Sequence, residues 1–351
     1  MKVLIVRLSA IGDVIQGIPC LVALKESFPD WQISWLVEET SAPLLENHPC
    51  LSRLFVLRRD WRKKDGVTAT EAAEGASNYW SVLREIRREQ FDVTIDLQGL
   101  FKSGLWTWLS GAPRRVGHNK TRELAHWFLN EYAGDRPTFD PAFPLVERYL
   151  EPARHLGADV RKGRYLLPPS SEKTRVEADA CMGTSPKQPV IALCPWSVWP
   201  SKNWPLERWR DVALDLAKDF RMLLIGAHSD LPASEIFSAV PNLINLAGKT
   251  TLPVLAEIFR RCRVAVGPDS GPLHLANATN APRIVMIFGS TSWRRSGPRG
   301  EGNKAISLDL ECQPCFERVC PLDHMNCLNT LDASRVIQAV REVTDITQRS
   351  A

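Results

Sequence analysis

The chain has 351 residues, 44% of them apolar and 24% charged, with a formal net charge of +4. Its length exceeds one ordinary core and fits two, and its composition excludes a disordered chain. So small a net charge gives no argument for nucleic acid, and the placement of the basic residues tells more than their sum.

No apolar run reaches the roughly 20 residues a transmembrane helix needs. The opening stretch Met1 to Val6, interrupted at Arg7, is too short for a signal-peptide core, so a cytoplasmic protein is expected. Lys2 to Val6 reads as a buried strand, followed by a polar turn from Ser9 to Asp13. Ile18, Leu21, Val22 and Ala23 then fall at helical spacing, and the helix stops near Phe28-Pro29-Asp30. Ile33 to Val37 is a strand, Trp80 to Arg88 a charged amphipathic helix, Val93 to Leu97 a strand, and Val146 to His155 a helix. A polar, proline-containing stretch from Pro168 to Pro189 marks a domain boundary near its start, giving domains 1–167 and 168–351. Its middle, Glu172 to Cys181, reads as a short helix.

The alternation then restarts. Strands are expected at Val190 to Leu193, Met222 to Ile225, Leu243 to Leu246, Val264 to Val266 and Arg283 to Phe288. Helices are expected at Leu206 to Lys218, Leu252 to Arg261, from Pro272 to about Thr279, and at Ala333 to Val343. Two successive α/β runs imply two doubly wound, Rossmann-like domains facing each other across a cleft.

Two local patterns are decoys. The turn at Ser9 to Asp13 has only Gly12 and lacks a dinucleotide fingerprint, and Gly248-Lys249-Thr250 lacks the leading glycine of a phosphate loop. More informative is Val266 to Leu275, which leaves a strand and enters a helix through Asp269, Ser270 and Gly271, with His274 one turn on. Backbone N–H groups at such a start bind anions at the carboxyl edge of a parallel sheet, although an ordinary capped turn with a packed histidine fits too. Asp13, also at a strand's carboxyl end, reads either as a helix-start charge worth about 0.3–1 kcal/mol or as a general base. Lys202 lies between Trp199-Pro200 and Trp204-Pro205, in a stiff loop that would hold its ammonium near a leaving diphosphate or simply in solvent. The basic run Arg58-Arg59-Asp60-Trp61-Arg62-Lys63-Lys64, with Arg122 further on, suits RNA, an anionic membrane surface, an acidic sugar or a solvated face. Cys312, Cys315, Cys320 and Cys327 have the spacing C-x₂-C-x₄-C-x₆-C, which suits one tetrahedral structural metal, zinc or iron, as well as a set of buried thiols.

Val3 to Val14, Trp35 to Glu39, Ile95 to Ser103, the Lys202 loop and the Asp269-Ser270-Gly271 to His274 stretch together resemble glycosyltransferase family 9, the ADP-heptose-dependent heptosyltransferases. The resemblance covers nearly the whole chain. The opening motifs are similar to members that add the first heptose to Kdo, whereas the cysteine-containing tail is similar to members that act later. The family implies a GT-B fold, a nucleotide-sugar-binding C-terminal domain, an acceptor-binding N-terminal domain, and inverting transfer without a catalytic metal or other cofactor.

On this resemblance Asp13 is the base, and Lys202, Asp269, Ser270, Gly271 and His274 serve the donor's diphosphate. Ser9 lines the same cleft and Asp230 meets the ribose. Arg58, Arg59, Arg62, Lys63 and Arg122 meet the carboxylates and phosphates of a Kdo–lipid A acceptor at the inner face of the inner membrane. The alternatives are a heptosyltransferase for a later core heptose or a protein serine, a GT-B sugar-nucleotide epimerase, and an RNA-binding protein.

Overall fold

The computed structural model describes the chain apart from residues 59–68, 120, 122, 137–138, 184–187 and 350–351. It divides into two units, Met1–Pro169 and Ser170–Ala351.

The first unit is built on β1 (Lys2–Val6), β2 (Gln32–Glu38), β3 (Arg53–Leu57), β4 (Val93–Asp96), β5 (Arg114–His118) and β6 (Glu131–Ala133). These pair in parallel in the order β3-β2-β1-β4-β5-β6. A central parallel strand is covered on both faces, so it reads as an unbroken apolar run; Val3, Leu4, Ile5 and Val6 are wholly buried. The crossover helices are α1 (Ile11–Ser27), α2 (Ala69–Glu89) and α3 (Phe101–Leu109), and α4 (Leu145–His155) follows β6 and packs on α1. Leu4, Val6, Leu36, Phe55, Ile86 and Phe91 form one core layer. α1 approaches the sheet closely at Gly17, where a Cβ would sit 3.1 Å from the Trp35 ring.

The second unit repeats the plan. Its strands are β7 (Val190–Leu193), β8 (Arg221–Leu224), β9 (Leu243–Asn245), β10 (Val264–Pro268), β11 (Arg283–Ile287) and β12 (Lys304–Ile306), again all parallel, in the order β12-β11-β10-β7-β8-β9. Its helices are α5 (Glu172–Met182), α6 (Leu206–Leu216), the one-turn α7 (Leu231–Ser234), α8 (Leu252–Arg260), α9 (Gly271–Ala278), the one-turn α10 (Trp293–Ser296) and α11 (Asn326–Asn329), and α12 (Ala333–Arg349). Trp204 and Trp209 meet edge to face with centroids 4.8 Å apart, buried among Leu193, Val212 and Leu328. Burial on this scale stabilises by about 2–3 kcal/mol per large side chain.

In both units the order reverses direction beside the first strand: between β1 and β4, and between β7 and β10. Crevices at the carboxyl ends of the strands at such a point are where doubly wound folds bind ligands. The helix expected at Trp80 to Arg88 is the second half of α2; residues 69–78 favour a helix but carry no apolar stripe to announce it. β3, β5 and β6 are short, charged edge-side strands without a clear alternation. No helix among the described residues is long and apolar enough to cross a membrane.

Candidate active site

The carboxyl end of β1 runs through Arg7, Leu8 and Ser9 into α1, whose first turn carries Asp13. Arg7 turns inward, buried, and its Nη2 lies 2.6 Å from Asp13 Oδ2. The Tyr149 hydroxyl, from α4, donates to Asp13 Oδ1 at 3.4 Å, and the Arg7 guanidinium stands 5.2 Å from the centre of the Tyr149 ring. Burial opposes the Arg7 charge, but Asp13 and then Tyr149 and Asp96 outweigh it and raise its pKa. The Asp13 side chain keeps 38% of its surface exposed. It is therefore a carboxylate gripped from behind and open in front, which suits a proton acceptor.

Around it the carboxyl edge is densely polar. Asp96, the last residue of β4, is pushed up to about 6 by burial, although Gly99 N, Gln98 N and Ser103 Oγ donate to it. Lys102, from α3, donates to Ser9 Oγ and to Glu38 Oε1, each at 3.1 Å. Ser9 is thus tied into this cluster of the first unit.

In the second unit the switch point gathers Asp269, at the carboxyl end of β10, and Lys202, on a 3₁₀ turn (Pro200–Lys202) in the loop after β7. Lys202 Nζ donates to Asp269 Oδ2 at 3.0 Å and to its carbonyl at 3.2 Å, and stands 4.9 Å from the centre of the Trp199 ring. His274 Nε2 lies 2.9 Å from Asp269 Oδ1. Thr291 and Ser296 hydroxyls donate to Oδ2 at 2.8 and 3.1 Å. Burial would raise the Asp269 pKa, but the Lys202 charge and the His274 and Thr291 contacts outweigh it and hold the carboxyl well below the usual range. Ser270 begins α9 with extended backbone, and its buried hydroxyl has no hydrogen-bond partner among the described residues. With the N–H groups of the first helical turn it makes a donor-rich helix start of the kind that binds anions.

The expected site residues are therefore distributed between two clusters. Asp13 and Ser9 belong to the first unit's cluster; Lys202, Asp269, Ser270, Gly271 and His274 belong to the second's. Asp230 lies after β8, where its Oδ2 accepts the Ala227 N–H at 2.7 Å and closes a turn. Arg58, just past β3, is exposed, and its N–H donates to Asn78 Oδ1. Arg59, Arg62, Lys63 and Arg122 lie outside the described residues.

Cys312, Cys315, Cys320 and Cys327 are all free and half-buried. Burial, and then the three neighbouring thiols, push Cys327 up to about 11. Among the described residues no group of three His, Cys, Asp or Glu side chains is arranged to hold a metal ion. Sequence reading missed Arg7, Lys102, Glu38 and Tyr149 in the first cluster and Thr291 and Ser296 in the second. A cation directly after a buried strand and six residues before Asp13 was the available signal for Arg7; the others are brought in by the fold.

Two Rossmann-like units, each with its polar cluster at the sheet's switch point, define the GT-B class of glycosyltransferase. Residues 79–326 match the model of glycosyltransferase family 9 (heptosyltransferase), and the chain belongs to that family. It is 27% identical over 335 residues to lipopolysaccharide heptosyltransferase 1 of Pseudomonas aeruginosa, covering 91% of this chain and 87% of that one. Among solved structures it is similar to a family 9 glycosyltransferase from Veillonella parvula, with a TM-score of 0.83, 22% identity and coverage of 98% and 97%. It is also similar to the ADP-heptose lipopolysaccharide heptosyltransferase II of Escherichia coli, with a TM-score of 0.76, 23% identity and complete coverage of both chains (100% each).

Proposed function

We propose that this glycosyltransferase moves heptose, with inversion, from ADP-heptose to the Kdo of Kdo–lipid A in assembly of the lipopolysaccharide inner core. The observation that carries the reading is Asp13, held by Arg7 and Tyr149 yet open at the carboxyl edge of β1. In this account Asp13 takes the proton of an acceptor hydroxyl as its oxygen attacks the anomeric carbon. The bond from that carbon to the β-phosphate oxygen breaks, and ADP leaves with the electron pair.

Negative charge then grows on the diphosphate. Lys202, His274, the Ser270 hydroxyl and the Ser270 and Gly271 amides stabilise it, with Asp269 holding Lys202 and His274 in place. These groups do the work a metal does elsewhere, so none is required, and Asp230 serves the ribose. The second unit is the donor domain and the first, with Ser9 at its edge, the acceptor domain. Arg58, Arg59, Arg62, Lys63 and Arg122 engage the acceptor's carboxylates and phosphates at the inner face of the inner membrane. The names of the relatives support the donor and the lipopolysaccharide acceptor, and the opening motif supports the first heptose.

The acceptor is tested by supplying ADP-heptose with either Kdo₂–lipid A or the same lipid already carrying one heptose, and reading the products by mass spectrometry. A heptose added to the unheptosylated lipid is expected. Product formed only on the heptosylated lipid would move the enzyme to a later step.

A further inference from the structure

We propose that the cysteine-bearing segment from Gln313 to Leu328 is a brace that positions Lys202, acting through Ser201, Ser290 and Gln313. The inference rests on the donor-site reading of Lys202. Among the described residues the turn carrying Lys202 is closed locally by two backbone bonds, Lys202 N to Trp199 O and Asn203 N to Pro200 O, both 3.0 Å, and by the Asn203 amide, which accepts the Ser197 N–H at 2.7 Å and donates to Ser197 O at 3.0 Å. Beyond the Lys202–Asp269 contact, the turn is tied to the rest of the unit at Ser201, by Ser290 and by the brace.

Ser201, buried beside Lys202, donates its hydroxyl to Glu317 O at 2.6 Å, and its N–H reaches Arg318 O at 3.3 Å. Its Oγ also lies 2.8 Å from Ser290 Oγ, and the Ser290 carbonyl accepts the Phe316 N–H at 2.8 Å. Gln313 Nε2 donates to Gly289 O at 2.7 Å and Phe288 O at 3.2 Å, while its Oε1 accepts the Leu310 N–H at 3.0 Å. At the far end Leu328 O accepts the Trp204 indole N–H at 3.1 Å. Gly289 lets these pieces meet, since a Cβ there would lie 2.7 Å from Ser201 O and 2.9 Å from Leu328.

The segment thus grips two things at once: the turn carrying Lys202, and the chain leaving β11, from which Thr291 and Ser296 reach Asp269. Lys202 and Asp269 come from loops 67 residues apart. Besides their direct contact, a third stretch of chain, with no hydrogen bond to the Lys202 or Asp269 side chain among the described residues, fixes the two loops relative to each other. A displaced ammonium stabilises a departing diphosphate less while ground-state nucleotide binding is largely kept, so the effect falls on kcat.

The test uses the full chain with Gln313→Ala, Ser201→Ala, Lys202→Ala and the double variant of Gln313 and Lys202. Steady-state kinetics, ADP binding by calorimetry, thermal melting and hydrogen exchange of the 197–204 peptide are compared. The brace predicts that Gln313→Ala and Ser201→Ala each lower kcat by roughly 10- to 100-fold with ADP affinity changed less than about threefold. It also predicts faster exchange at 197–204, and little further loss when Lys202→Ala is added to Gln313→Ala. Additive losses, or full kcat in Gln313→Ala and Ser201→Ala where Lys202→Ala is impaired, would overturn the brace. Should Lys202→Ala itself keep full kcat, the donor-site reading fails; exchange at 197–204 then decides the brace, with unchanged exchange in Gln313→Ala overturning it.

Discussion

Arg7 Nη2 stands 2.6 Å from Asp13 Oδ2, with the guanidinium buried and the carboxylate open to solvent. The cation lies at the end of β1 and the anion in the first turn of α1, so the strand-to-helix turn is itself the device that aims the carboxylate. An ordinary helix-start aspartate faces solvent near its own N–H groups; this one is tied to a buried cation and to Tyr149 on a different helix.

Arg7→Met should therefore lower kcat by roughly 10- to 100-fold while donor KM stays within about threefold, because the carboxylate loses its aim and the donor pocket is untouched. Steady-state ADP release measures this. An equal rise in donor KM would show that Arg7 serves binding instead.

Asp269→Ala leaves Lys202 and His274, both largely buried, without their carboxylate. Removing one partner of such a set costs about 3–5 kcal/mol, so urea unfolding should show a loss of that order. A loss below about 1 kcal/mol would mean that the cluster relaxes freely and does not hold Lys202.

Two buried groups make stability depend on pH with opposite signs. Burial raises Asp96 to about 6 from 3.8, so the folded state binds the extra proton and stability falls as pH rises from about 4 to 6. Burial lowers His118 to about 4 from 6.5, against the pull of Glu151 Oε2 at 3.8 Å from its Nδ1; here stability is lost as pH falls from about 6.5 to 4. Each effect is on the order of 3 kcal/mol at most. Asp96→Asn should raise stability at pH 7 and expose the acid sensitivity due to His118. Melting curves across pH 4 to 7 that are the same in wild type and Asp96→Asn would contradict the assignment.

Gly267→Ala should destabilise by about 1–3 kcal/mol, since a Cβ on β10 would sit 2.3 Å from the Cys194 carbonyl and the backbone has to shift. The same shift displaces Asp269 two residues on, so turnover should fall with stability. A variant of wild-type stability would show that the β7–β10 contact is looser than described.

Much of this was legible in the sequence, and the parts that were not share a cause. The central strands at Lys2 to Val6 and Val190 to Leu193 announce themselves as unbroken apolar runs; Asp269 stands directly after its strand, and Asp13 and Lys202 lie seven and nine residues past theirs. Lys102 and Glu38, by contrast, are 64 residues apart, and Tyr149 is 136 residues from Asp13. Only the parallel crossovers bring them to one sheet edge, and no local spacing encodes that. Ser9 sits where the turn suggested, but its Lys102 partner assigns it to the first unit's cluster. The four cysteines suit a metal site or a set of buried thiols by their compact spacing, whereas the bonds from Glu317 and Arg318, between them in sequence, to Ser201 in the Lys202 turn are visible only in the fold.

The most direct test of the central claim is ADP release from purified protein given ADP-heptose, with and without Kdo₂–lipid A, in wild type and Asp13→Asn. The account predicts release that needs the lipid and falls at least about 100-fold in the variant, with ADP affinity unchanged. Release that proceeds without acceptor, or that survives in Asp13→Asn, would contradict it.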